Sequence, residues 1–236
     1  MHPSAAAYTN FTLRIYDFLV LFISNYFIWG CPTGSVLLPF YQQHLGESAH
    51  IEIGVGTGYY PASSIAQLSK VKSITLLDLN PNTLEYTRRR VESVGYKGKI
   101  ETLEQSVFDP LPVSMRGKFD SAALFYTLHC LPVTFPKKAA DVFARLTPVL
   151  APGGVVYGST ILGKGVAHSW PGRLLVKAYN RKGMFANADD SEESLRQALQ
   201  DAFEEYDVWI VGVVALFSAR GPKKANDKCK SPSKLI

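Results

Sequence analysis

The stretch HIEIGVGTGYYPASS, His50 to Ser64, runs from a β-type segment straight into glycines at every second position: Gly54, Gly56 and Gly58. Glycine loses more conformational freedom on folding than any other residue, so a run like this implies a strained turn or a close approach to the backbone. A carboxylate, Glu52, stands just ahead of it. What approaches this loop is decided by the segments on either side.

Downstream, YPASSIAQLSK reads as a helix, and KSITLLDLN is an apolar run of strand length ending at Asp78. PNTLEYTRRRVESVG follows, with Pro81 and Asn82 at a helix start, helical spacing of Leu84, Tyr86–Thr87 and Val91, and Gly95 at its end. KIETLEQSV is a third strand, and FDSAALFYTLHCL a fourth, nearly all apolar, as a strand covered on both faces must be. FPKKAADVFARLTPVL is a helix, APGGVVYGSTIL a tight turn into strand five, and SEESLRQALQDAF a helix with acidic groups in its first turn. YDVWIVGVVALFSAR reads as two strands meeting near Gly212. Alternating strands and helices predict a doubly wound α/β fold with a mostly parallel sheet. Ligands in such folds sit outside the carboxyl ends of the strands. There the chain places its glycine loop, Asp78, and the segment from Tyr126 to His129.

Composition excludes several classes. With 47% apolar and 19% charged residues the chain is globular in type. Its net charge of +5 lies entirely in the final RGPKKANDKCKSPSKLI, so the rest of the chain is neutral and no nucleic-acid partner is expected. Cys31, Cys130 and Cys229 are too few and too scattered for a disulfide framework or a zinc site, which predicts a reducing, cytoplasmic setting. FLVLFISNYFIW, Phe18 to Trp29, is too short to span a membrane and contains Ser24 and Asn25, so no transmembrane segment is expected.

Two cofactor classes compete for the loop. The dinucleotide fingerprint G-x-G-x-x-G requires glycine or alanine at position 59, where this chain has Tyr59. A pyrophosphate also favours N–H donors without a neighbouring carboxylate. A cofactor bearing a cationic amino group and a sulfonium tolerates Glu52.

With EIGVGTG, LLDLNP, FDSAALFYTLHCLP, LAPGG and the closing VWIVGVVALFSARG in this order, the chain resembles the class I (Rossmann-like) S-adenosylmethionine-dependent methyltransferases of small-molecule type, from Tyr8 to Gly221. The resemblance implies a seven-stranded sheet of order 3-2-1-4-5-7-6 with an antiparallel last strand. It implies S-adenosyl-L-methionine as cofactor and S-adenosyl-L-homocysteine as its product. By the same resemblance, Gly54, Gly56 and Gly58 admit the methionine part, and Glu52 supports that loop or the ammonium group. Asp78 takes the ribose hydroxyls, with Leu79 beside it; helix capping near Asn80–Pro81 is the alternative for Asp78. Ser106, Val107 and Phe108 border the adenine; many relatives place an Asp or Asn near here, where this chain has Gln105 and Ser106. Tyr126 and Leu128 line the floor, and Tyr59 either closes over the cofactor or packs.

The acceptor side is read from the remaining residues. His129 is the candidate general base, or else orients its loop; Tyr16 is the second catalytic candidate. Residues 1–46 are expected to form an N-terminal helical lid, 47–221 the methyltransferase domain and 222–236 a basic tail. Tyr8 and Trp29 of the lid, with His168 and Trp170 after strand five, are candidate substrate contacts, core packing being the alternative for the aromatic stripe. No His/Cys/carboxylate cluster has metal-ligand spacing, so no metal is expected. The expected activity is methyl transfer to a hydrophobic small molecule, such as a secondary metabolite. Cofactor-assisted rearrangement and a non-catalytic cofactor-binding regulatory role are the alternatives.

Overall fold

β-Alternation sends successive side chains of Ala49–Ile53 to opposite faces of the sheet, and all five are buried: Ala49, Ile51 and Ile53 in an apolar core, His50 and Glu52 on the other face. The computed structural model describes residues 17–223. Helical segments Asp17–Ile28 and Thr33–Leu37 lead into α1 (Leu38–His44) and β1 (Ala49–Ile53). They are followed by α2 (Tyr59–Ser63), α3 (Ile65–Leu68), β2 (Ser73–Asp78), α4 (Pro81–Ser93), β3 (Lys99–Glu104) and β4 (Phe119–Phe125). The chain continues through α5 (Lys137–Leu146), β5 (Leu150–Ile161), α6 (Trp170–Arg181), α7 (Glu192–Ala202), β6 (Phe203–Val211) and β7 (Val214–Pro222).

The seven strands form one sheet in the order β3-β2-β1-β4-β5-β7-β6. The first five run parallel, and β7 pairs antiparallel with both β5 and β6. This is the expected topology. Alternation along each strand divides the core between the two faces. Ile51, Ala122, Leu124, Val156 and Phe217 pack with Phe143 of α5 and Leu195 and Leu199 of α7. On the opposite face, Ala123, Phe125, Val155, Tyr157 and Leu216 pack with Trp29, Leu37 and Tyr41. Ile74 and Leu76 of β2 meet Leu84 and Val91 of α4.

Three local departures from the sequence reading have physical causes. The helix after the glycine loop breaks at Ser64, whose φ of −111° and ψ of 28° leave the helical region, giving two short pieces. The strand after α7 begins at Phe203 because that ring is fully buried against Phe143, with centroids 5.6 Å apart. The last strand extends past Gly221 to Pro222, which pairs with Phe203. Residues 224–236, the bulk of the basic tail, lie outside the described residues. Among the described residues no helix is long and apolar enough to cross a membrane.

Candidate functional site

The carboxyl ends of β1, β2 and β4 open onto a cavity of about 320 Å³. Of the residues read as cofactor contacts, Glu52, Gly54, Gly56, Tyr59, Asp78, Leu79, Ser106, Val107, Phe108 and Tyr126 all line it. Gly58 and Leu128 do not. Gly58 precedes α2 and lies against Thr87, and Leu128 is fully buried in the core. Tyr60, Thr83, Gln105, Phe125, Thr127, Cys130, Leu131 and Pro132 complete much of the wall.

Tight turn geometry makes the rim. Gly54 takes a φ of +68°, and its N–H bonds to Leu77 O at 2.8 Å, which ties the end of β1 to β2. A Cβ at position 54 would lie 2.6 Å from Thr127 Oγ1, so the loop and the end of β4 pack in direct contact. Tyr126, at the end of β4, also has a positive φ, 55°, unusual for a residue with a Cβ. Such backbone strain costs about 1–3 kcal/mol and is held by its surroundings. Here the Tyr126 N–H bonds to Ser159 O at 2.9 Å.

Two carboxylates line the cavity, each held from behind. The Asp78 carboxylate accepts the Asn80 N–H at 2.9 Å. Burial pushes its pKa above the ordinary value, while hydrogen bonds from Asn80, Thr83, Gly56 and Val55 work against that shift. The cap of α4 is Asn80, whose side chain accepts from Asn82 N–H, so capping leaves Asp78 at the wall. Glu52 Oε2 accepts from the Tyr41 hydroxyl at 2.8 Å and lies 3.0 Å from His50 Nε2.

At the third strand, Gln105 Nε2 is buried and without a partner among the described residues. It stands on the cavity wall beside Ser106, Val107 and Phe108. A buried donor of this kind is expected to find an acceptor. A purine ring supplies one, and the donor set as a whole fits S-adenosylmethionine. It comprises two carboxylates for hydroxyl and ammonium donors, one amide for a heterocycle and an apolar floor.

The residues read as catalytic and substrate contacts are placed differently. His129 is buried beside the cavity and does not line it. Its Nδ1 accepts the Ile161 N–H at 3.4 Å, and its ring packs edge-on against Phe185 at 4.5 Å. Burial, together with the Lys138 charge, lowers its pKa to about 3. Trp29 is buried in the core, with its carbonyl accepting the Val213 N–H at 2.9 Å. His168 Nε2 bonds Leu162 O at 2.8 Å, and Trp170 is exposed at the start of α6; neither lines the cavity. Tyr8 and Tyr16 lie outside the described residues.

Sequence reading missed the supports behind the wall. Tyr41 lies eleven positions before Glu52, in a helix with no motif. His50 stands two positions before Glu52, where β-alternation puts both on one sheet face, but no motif marks it as a support. The fully buried pair Lys138–Asp190, 2.6 Å apart, was also missed. Its signal, a lysine in an apolar helix, is common on solvated faces. Lys138 Nζ additionally bonds Ala186 O at 2.6 Å, and the Ala186 N–H bonds His129 O at 2.8 Å, so the pair pins the segment after α6 onto the β4 loop.

Comparison with known proteins agrees with this geometry. Residues 51–156 match a family model described as a methyltransferase domain. The chain is 41% identical over 232 residues to methyltransferase verB of Penicillium polonicum, covering 94% of this chain and all of that protein. It is 39% identical over 218 residues to the physcion biosynthesis cluster O-methyltransferase of Aspergillus chevalieri, covering 92% of this chain and 95% of the relative. Among solved structures, an S-adenosylmethionine-dependent methyltransferase from Methanosarcina mazei superposes with a TM-score of 0.56 at 19% identity, over 78% of this chain and 98% of that one. That likeness concerns the fold alone. On the strength of its full-length relatives, its sheet order and its motifs, the chain belongs to the class I S-adenosylmethionine-dependent methyltransferases.

Proposed function

We propose that this enzyme transfers the methyl group of S-adenosylmethionine to a hydroxyl oxygen of a hydrophobic small molecule in secondary metabolism. The observation that carries the reading is a single cavity with Glu52, Asp78 and the unpartnered Gln105 Nε2 on its wall. Bound there, S-adenosylmethionine supplies an electrophilic methyl group on a sulfonium. Asp78 would accept hydrogen bonds from the ribose hydroxyls, Glu52 from the ammonium, and Gln105 with Val107 and Phe108 would hold the adenine. An oxygen acceptor is supported by the name of the Aspergillus chevalieri relative, and a biosynthetic role by the same name. Apolar walls at Phe125, Leu131 and Pro132 favour a hydrophobic acceptor.

The chain's own contribution is alignment and exclusion of water. Orientation alone supplies roughly 7–11 kcal/mol in favourable intramolecular models, so a dedicated base is not required. His129, with its Nδ1 lone pair engaged and a pKa of about 3, is assigned to positioning the loop after β4 and not to proton removal. The test is incubation with S-adenosylmethionine and a panel of phenolic acceptors, read as a mass gain of one methyl group. Gain with the wild type and none with Asp78→Ala supports the reading; no gain with hydroxyl acceptors, but gain with amine or carbon acceptors, overturns its oxygen assignment.

A further inference from the structure

Behind the cavity wall a continuous chain of buried polar groups ends on Glu52. The Gly46 N–H donates to Ser121 Oγ at 2.9 Å, and Ser121 Oγ lies 2.8 Å from His50 Nδ1. His50 Nε2 is 3.0 Å from Glu52 Oε2, and the Tyr41 hydroxyl donates to the same oxygen at 2.8 Å. A carboxylate oxygen only accepts, so in a neutral imidazole the proton sits on Nε2 and Nδ1 takes the Ser121 hydroxyl proton. The chain then runs in one direction, Gly46 to Ser121 to His50 to Glu52, with Tyr41 joining at the end. His50 and Ser121 are fully buried, as is Tyr41, and Glu52 is 3% exposed. Burial with Glu52 alongside holds the Tyr41 phenol well above its ordinary pKa, which keeps it a donor.

Both donors converge on one oxygen of a residue that also lines the cavity. A buried carboxylate without such donors would lose its hydrogen bonds and be free to rotate away from the cavity. We propose that Tyr41 and His50 are positioning residues that hold the Glu52 carboxylate oriented for the α-ammonium group of the cofactor. The proposal rests on the cofactor reading given above. Tyr41 also backs the wall sterically, stacked on Tyr60 at 5.5 Å and edge-on to Phe125 at 5.3 Å. The hydroxyl must therefore be tested with the ring kept in place.

The experiment is calorimetric titration of the wild type, Tyr41→Phe and His50→Leu with S-adenosylhomocysteine, and in parallel with 5′-methylthioadenosine, which lacks the amino acid portion. Each variant removes one donor to Oε2, and either carries the test if the other does not fold. The expected result is weakening of S-adenosylhomocysteine binding by about tenfold with methylthioadenosine within about twofold of wild type, the size of one charge-assisted hydrogen bond. Equal loss for both ligands would mean steric support only, and unchanged binding of both would mean no support; either overturns the proposal. Wild-type protein that binds neither ligand would sink the cofactor reading itself, a result separable from failure of the variants alone.

Discussion

Thr127 and Gly54 are packed against each other at the mouth of the cavity. Thr127 Oγ1 donates to Ile53 O at 2.9 Å, and a Cβ added at Gly54 would come within 2.6 Å of that same oxygen. Gly54→Ala therefore meets both a steric overlap and a positive φ of 68°. Left-handed backbone costs an L-residue about 1–2 kcal/mol, and overpacking a further 1–3 kcal/mol or so. Gly54→Ala should lower the melting temperature and weaken S-adenosylmethionine binding together. A variant with unchanged melting and binding would show that the loop and β4 can separate freely.

Asp78 should trade stability for binding. Its pKa is raised, chiefly by burial. A carboxyl with a raised folded-state pKa contributes its stability below the unfolded value and loses it as pH rises through the folded value. At neutral pH the ligand-free protein therefore carries the cost of a buried charge. Asp78→Asn should raise the melting temperature at pH 7, with the gain vanishing below about pH 3.9, the ordinary aspartate value. The same variant should lose cofactor affinity. Melting curves across pH, with a titration beside them, check both halves.

His129 has the opposite sign. Its pKa is lowered to about 3 from 6.5, so the folded state holds fewer protons than the unfolded one. Its contribution is complete above pH 6.5 and is lost as pH falls toward 3, at up to about 1.4 kcal/mol per pH unit. His129→Asn, which keeps an acceptor near the Nδ1 position for the Ile161 N–H, should flatten this acid limb of the stability curve. If His129 were instead the base, kcat would fall as pH drops through its folded-state pKa of about 3, and the variant would abolish both that dependence and most of the turnover.

The buried Lys138–Asp190 pair gives a test independent of any ligand. Both side chains are fully buried at 2.6 Å, and Asp190 Oδ1 also accepts the Phe135 N–H at 3.1 Å. Removing one partner, as in Lys138→Met, leaves an uncompensated charge and should cost about 3–5 kcal/mol in urea unfolding. The double variant Lys138→Met/Asp190→Leu should recover a large part of that. Additive losses would show that the two charges do not act as a pair.

Much of this fold was legible because its signals are local. The apolar runs of β2 and β4, the glycine loop after β1 and Asp78 each announce themselves within ten residues, and their order gives the sheet topology. The cavity wall from Glu52 to Asp78 follows from that. The rest depends on contacts distant in sequence or on backbone states without a compositional mark. Tyr41 reaches Glu52 from a helix, and Lys138 reaches Asp190 across 52 positions. Tyr126 adopts a positive φ that nothing in a tyrosine forecasts. His129 follows β4 at the expected place, yet the burial that lowers its pKa comes from Phe185 and the segment pinned by Lys138. Trp29 reads as a lid aromatic because its apolar neighbours look the same whether they face a ligand or the sheet.

The proposed function stands or falls with S-adenosylmethionine binding in the cavity between Glu52 and Asp78. Calorimetric titration of the purified protein with S-adenosylmethionine and S-adenosylhomocysteine, beside an Asp78→Ala control, tests it most directly. The expected result is saturable binding of both ligands, lost in a control that remains folded. A folded wild-type protein that binds neither, or a control that binds as well as wild type, would contradict it.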